Sequence, residues 1–404
     1  MSDPHPHLTV GQRIQMHRER AGKTRAVLGG LIGRSPEWVK AVEKGRMLTP
    51  RLGMLDKISV ALRVPLADLV GEHEEQIHAL TGPAHAALPQ VRAALNEYVA
   101  VGENPPTDLR DLAARVSDAW RARHGAGEHR TVIGRLLPDL IREARHAARA
   151  YEGSDRQRAQ AIYADVLGLA QMFVAYQPAA DVLWRLTDRA MTLAVDSGDP
   201  QAIGLAAWFL VEALRDSGDW DAAMAVNLDA LRDVEVWLDR HGGTDLAAVA
   251  GSLHTVAALT AARAGEQGVA WRHLDEAGRL ADRLPAGYRH SRTWFSQPVV
   301  GFYRVSVAVE LCQHGEAIRQ ADRVPPDTIA SRPRRARHLI EVARGLHLGT
   351  KKETQTLRVL NEALAAAPET IRYNSYARQI VLDLREKPAP HWKAANDLAV
   401  AIGL

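Results

Sequence analysis

The chain has 404 residues, 46% hydrophobic and 25% charged, with a formal net charge of +3. These are ordinary globular values, which exclude a disordered tail or a small disulfide scaffold and leave room for two to three domains at roughly 150 residues each. Aromatics are only 5%, Ala, Leu and Arg are abundant and β-branched runs are scarce, so helix is favoured over sheet and an all-α protein is expected.

Cys312 is the only cysteine. It cannot close an intrachain disulfide or complete a Cys-x-x-Cys zinc or redox pair, which points to the reducing cytoplasm. Met1 to Val10 lacks the charged-then-apolar order of a signal peptide. The longest apolar stretch found, Ala202 to Leu214, is interrupted by Glu212 and too short to span a bilayer. A soluble, unexported protein is expected.

The charge is unevenly placed. Residues 1–71 carry 12 Lys/Arg against 6 Asp/Glu, leaving 39 against 42 in the rest. A basic head on a mildly acidic body suits a polyanion-binding module joined to a different domain, although a solvated basic face gives the same count.

Helix signals divide the head into five segments. Val10 to Arg20 carries apolar Val10, Ile14 and Met16 and stops at Ala21-Gly22-Lys23. Thr24 caps a helix through Ile32 that ends at Gly33. Ser35 caps the next, with Pro36 at its first position, and Gly45 closes it. A fourth helix, from about Arg51 to Leu62, places Leu52, Leu55, Ile58 and Leu62 on one face, and Val64-Pro65 opens a short fifth ending near Val70.

These residues fall in the pattern Lys23-Thr24-Arg25, Leu28-Gly29, Gly33, Ser35, Val39-Lys40, Glu43-Lys44-Gly45, Pro50, and Leu55-Asp56-Lys57-Ile58-Ser59-Val60-Ala61-Leu62. Over about Leu8 to Gly71 the chain thereby resembles the Cro and lambda-repressor-like (XRE) helix-turn-helix regulators. The anchors have physical uses: Gly29 supplies a small position at a close helix approach, Gly33 and Gly45 permit turns, and Val39, Val42 and Leu55 fill a core. The resemblance implies that the third helix enters the major groove and the second straddles the backbone. Its outward residues are Ser35, Pro36, Glu37, Lys40 and Lys44. Lys40 then suits guanine O6/N7 and Glu37 suits cytosine N4, whereas Arg25, Arg34, Lys44 and Arg46 suit phosphates. Pro36 and the Gly29-Gly30 pair depart from the family pattern, so DNA binding is better supported than base specificity. Trp38, beside Val39 and Val42, reads as packing.

Residues 72–129 read as a polar linker, Glu72 to Pro83, followed by adaptor helices at about Pro89 to Val101 and Leu109 to Arg123. From 130 to 404 amphipathic helices alternate with turns at Glu152-Gly153, Ser197-Gly198-Asp199-Pro200, Ser217-Gly218-Asp219, Ala264-Gly265-Glu266 and His314-Gly315-Glu316. Ala207, Leu210, Leu214, Gly218 to Asp221, Ala223 and Ala230-Leu231 resemble a tetratricopeptide unit. Gly265-Glu266, Ala270, Leu274 and Ala277 repeat its second half, and Ala343, Leu360, Ala363-Leu364 and Pro368 fit it again. The turns at 218, 265 and 315 are 47 and 50 residues apart, beyond the family's repeat of about 34, so a tetratricopeptide-like α-solenoid with longer helices is expected.

Stacked helix pairs build a concave surface lined by the first helix of each pair. Its expected lining is Leu205, Trp208, Glu212 and Arg215, then Thr255, Leu259 and Arg263, joined by Tyr303 and Arg304. An Arg/Glu pair beside tryptophan suits a peptide's termini or backbone, and packing between repeats accounts for Trp208 equally well.

No catalytic constellation is found and no enzyme or cofactor is expected. His73 and His78 are five residues apart, about 140° round a helix, and so diverge where the zinc-protease pair converges. Gly29-Gly30-x-x-Gly33 follows no strand, and Cys312 with His314 has no third partner. The architecture resembles the peptide-pheromone sensors of Gram-positive bacteria. That resemblance implies a cytoplasmic homodimer on a double-stranded DNA operator, without membrane attachment, whose groove takes a signalling peptide or small ligand. The alternative is a regulator whose solenoid grips a protein partner with no small ligand.

Overall fold

The computed structural model describes residues 8–47, 50, 52–70, 83–97, 105–349, 352–385 and 390–404. Arg51, most of the polar linker and the His73–His78 segment lie outside them. All regular elements among the described residues are helical.

The head comprises α1 (Val10–Arg20), α2 (Arg25–Ile32), α3 (Pro36–Glu43), α4 (Leu52–Leu62) and α5 (Leu66–Val70). Side chains satisfy the helix starts. Thr9 and Gln12 form a reciprocal capping box, Thr24 accepts from the Val27 amide, and Ser35 accepts from the Trp38 amide with Pro36 just inside. Gly33 ends α2 in the left-handed conformation at φ 69°. A β-carbon at Gly29 would lie 2.4 Å from the Arg34 carbonyl oxygen, so the small residue makes room for the chain entering α3. Ile14, Leu28, Val39, Val42, Leu55, Ile58, Leu62 and Leu69 form the head's core.

The body begins at α6 (Leu88–Asn96) and α7 (Leu109–Gly125). It continues through α8 (His129–Ala150), α9 (Gly153–Val174), α10 (Ala180–Ser197), α11 (Pro200–Ser217), α12 (Trp220–His241), α13 (Thr244–Ala264), α14 (Gln267–Asp282) and α15 (Gln297–Glu310). It ends with α16 (His314–Ala321), α17 (Arg332–Leu348), α18 (Glu353–Ala366), α19 (Pro368–Arg372), α20 (Ser375–Arg385) and α21 (Trp392–Ile402). Short connections fold successive helices back on each other as hairpins.

The Ser-Gly-Asp turns work as a stop followed by a start. Gly198 and Gly218 close α10 and α11 at φ 67° and 94°, and the next residue, Asp199 or Asp219, accepts from the first amides of the following helix. The expected turn at Gly315 is displaced: Cys312 takes the left-handed conformation at φ 59°, and Gly315 lies inside α16. The helices expected as an adaptor, α6 and α7, belong to the array, because Val91, Leu112, Val116 and Trp120 share one core with Ile133, Leu137 and Phe173. The longest apolar element is α13 rather than the 202–214 stretch. It is long and apolar enough by composition to cross a membrane, but 83% of its most apolar 18-residue stretch is buried under its neighbours.

The array closes on itself. At the first turn of α8, Glu369 accepts from the Arg130 and Thr131 amides and, at 2.6 Å, from the Thr131 hydroxyl. This supplies negative charge to a helix N-terminus 238 residues away in sequence. His124 bonds Ser331 at 2.8 Å, and Arg337 donates to the Tyr176 hydroxyl at 3.0 Å. The expected open groove is therefore narrowed to a partly open cavity between α7, α8, α11, α13, α15 and α17.

Candidate functional site

Two surfaces carry the residues singled out in the sequence. On the head, Pro36, Glu37, Lys40 and Lys44 lie exposed on α3 and at its end, with the Lys44 ammonium donating to Gln15 of α1 at 3.3 Å. Ser35 spends its hydroxyl on the cap of α3. Arg25 donates to Glu43 at 2.7 Å, and its side chain remains a third exposed. Glu43 is fully buried and also binds Arg18, so one carboxylate ties α1, α2 and α3 together. The sequence reading placed Glu43 in the family pattern without seeing this role, because both its partners are distant in sequence.

Two of the expected phosphate contacts face elsewhere. The Arg34 guanidinium sits 4.9 Å from the Trp38 ring centroid and 4.6 Å from that of Trp220 at the start of α12, and it donates to the Ala262 carbonyl at 3.4 Å. Arg46 donates to the Leu348 carbonyl at 3.2 Å. Both residues hold the head against the body. Burial draws the Arg34 pKa down to about 10, the carboxylate of Glu310 resisting that shift. Around them, Gln379 donates to the Gly45 carbonyl at 3.1 Å, a β-carbon at Gly265 would stand 2.6 Å from the Gly33 carbonyl, and Trp220, Cys312 and Leu348 pack on the head's core. Trp38 is buried, 7% exposed, and belongs to that core.

Inside the ring is a cavity of about 140 Å³. Of the seven residues expected to bind a ligand, it brings together Trp208, Glu212, Arg215, Arg263 and Tyr303. Thr255 is absent from its wall: the side chain is buried and donates to the Ser252 carbonyl at 2.7 Å. Arg304 lies outside as well, pairing with Asp275 at 3.0 Å beside a separate surface depression. The sequence reading missed Arg123, Arg130, Arg334 and Arg337, which enter from α7, α8 and α17. The dense Arg332 to Arg337 run was the only local signal of them.

The cavity has two electrostatic ends. Toward the head, Arg263 pairs with Asp216 at 2.7 Å and Glu310 at 3.4 Å, Arg344 with Glu310 at 3.2 Å, and Arg337 with Glu341 at 3.2 Å. Burial opposes the charge on Glu310, but Arg344, Arg263 and Arg34 outweigh it and hold its carboxyl at about 2. Glu212 is pushed up by burial. Toward α7 and α8 the balance reverses. Arg123, 8% exposed, meets His124, the Met172 sulfur and the Trp120 ring but no carboxylate among the described residues; burial, then Arg334 and Arg130, draws it down to about 9. Arg130 faces the last carbonyls of α9 and the ring of Tyr373.

Residues 9–70 match the family model described as a helix-turn-helix domain. The head is thus a helix-turn-helix domain followed by a helical-repeat array. No curated protein sequence matches the chain. Among solved structures it is similar to a point mutant of PrgX, with 9% identity and a TM-score of 0.35 over 87% of this chain and all of that one. It is also similar to Bacillus thuringiensis PlcR in complex with the peptide PapR7 and DNA, with 12% identity and a TM-score of 0.28 over 68% of this chain and 94% of that one.

Proposed function

We propose that the protein is a cytoplasmic, homodimeric transcriptional regulator that reads an operator with α3 and couples head position to a peptide or small ligand in the ring cavity. The functional division is then a head over 1–71, a connection after it, and an effector body that starts at α6 and runs to 404. Pro36, Glu37 and Lys40 would face the major groove, with Arg25 and Lys44 beside phosphates.

The observation that carries this reading is a covalent adjacency: Ala262 accepts the hydrogen bond of Arg34 from the head, and the next residue, Arg263, lines the cavity. A ligand that draws Arg263 away from Asp216 and Glu310 moves the end of α13 on which the head rests. The shift it produces is set by its differential affinity for the two head positions.

Genome-wide immunoprecipitation of the tagged protein, then footprinting of the strongest site with purified protein, tests the reading. Two protected half-sites support it. Diffuse enrichment with no footprint contradicts it, and a stoichiometric protein captured by the body would then explain the array.

A further inference from the structure

The cavity end formed by α7, α8 and α17 holds more positive charge than its surroundings neutralise. Arg123, Arg130 and Arg334 line it, and none of the three makes a salt bridge among the described residues. The Nε groups of all three, Nδ1 of His129 and Nε1 of Trp208 are buried donors or acceptors without a partner. Arg123, Arg130, His129 and Trp208 are each at least nine-tenths buried. His124 and His129 are held neutral by burial and add no charge. Buried cations and unmade hydrogen bonds are costly unless a partner arrives. The adjoining wall is apolar, formed by Met172, Leu183, Trp208, Leu259 and Phe302.

We propose that this end is an anion subsite that receives the carboxylate of a small apolar acid, its charge on the forks of Arg123, Arg130 and Arg334 and its hydrocarbon part against Trp208 and Met172. Arginine forks match a carboxylate with paired, charge-assisted hydrogen bonds. The acid is either the free C-terminus of a peptide or an unconjugated organic acid. A cavity of about 140 Å³ admits one such terminal group. The inference rests on the ligand-sensing reading above and names the chemistry of the ligand.

Binding is measured without DNA, so that failure of the subsite and failure of the regulator reading are separate results. Full-length protein is titrated with N-acetyl-leucine and with N-acetyl-leucinamide, following tryptophan emission and the thermal midpoint. The acid is expected to bind about tenfold tighter than the amide or better, and Arg123→Gln to bring that ratio to about one. The ligand-free midpoint of Arg123→Gln is expected at or above that of the wild type, because an uncompensated buried cation has been removed. Should that variant melt early, Arg334→Gln, at a half-buried position, makes the same comparison. Equal binding of acid and amide by the wild type overturns the proposal, as does an acid preference that survives in the folded variant. 4-Methylpentanoate separates the two sources: binding as tight as N-acetyl-leucine supports a free organic acid, and binding about tenfold weaker supports a peptide C-terminus.

Discussion

The Arg34 guanidinium, at the turn between α2 and α3 of the head, lies 4.6 Å from the ring centroid of Trp220 at the start of α12 in the body. With Trp38 at 4.9 Å, this cation joins the two parts of the chain. A partly desolvated cation–π contact contributes about 1–2 kcal/mol. Trp220→Ala is therefore expected to raise the undocked fraction of heads about 5- to 30-fold. Small-angle scattering checks this through a larger radius of gyration; an unchanged radius refutes it.

The exposed and docked basic residues separate in a salt titration of operator binding. Lys44→Ala is expected to weaken binding to all sequences and lower the salt slope by about 1, as loss of one phosphate contact requires. Lys40→Ala is expected to cost about 1–3 kcal/mol of discrimination at one base position. Arg46→Ala is expected to leave the salt slope unchanged, since its guanidinium is bound to the Leu348 carbonyl.

Glu43 predicts a stability effect confined to the head. Removing a buried carboxylate that serves two arginines leaves buried Arg18 with only the exposed Glu19 as its carboxylate partner, at about 3 kcal/mol. Glu43→Ala is expected to melt the head first, visible as loss of amide protection in α1 to α3 while α8 to α13 stay protected.

Acid sensitivity follows from groups held away from their ordinary pKa. Burial keeps His290 neutral, with a pKa of about 4 against about 6.5 in an unfolded chain. The unfolded state binds more protons between those values, so this contribution is complete above about pH 6.5 and is lost as pH falls toward 4. Glu310, held at about 2, contributes above its unfolded pKa of about 4.3 and loses that contribution on further acidification. Each is worth on the order of 3 kcal/mol. Urea midpoints are expected to fall from pH 7 to 4, with a shallower fall for His290→Asn.

The head was legible because its signals are local. Thr24, Ser35 and Pro36 mark helix starts and Gly33 a stop within a few residues of the helices they bound, and α1 and α2 end where those signals place them. The facing positions of α11 were legible from helical spacing, which brought Trp208, Glu212 and Arg215 into the cavity wall. Ring closure was not. Glu369 meets Thr131 across 238 residues, and no local pattern announces that pairing, so Arg123 read as an adaptor residue and Arg130 only as the start of the repeat body. Arg34 read as a phosphate contact because its partners, Trp220 and Ala262, lie in another part of the fold. Thr255 and Arg304 failed for a different reason: rotation of α13 and α15 in the array turns one into the core and the other outward.

The central claim is that the state of the cavity reaches the head through the end of α13. Amide hydrogen exchange over residues 25–47, comparing the wild type with Arg263→Met in the full chain, tests it most directly. The substitution removes the pairing with Asp216 and Glu310 while leaving Arg34, Trp220 and Ala262 in place. The account predicts exchange about 5- to 30-fold faster in α2 and α3, the factor that corresponds to about 1–2 kcal/mol of docking. Identical exchange in the two proteins, with the body intact, would contradict it.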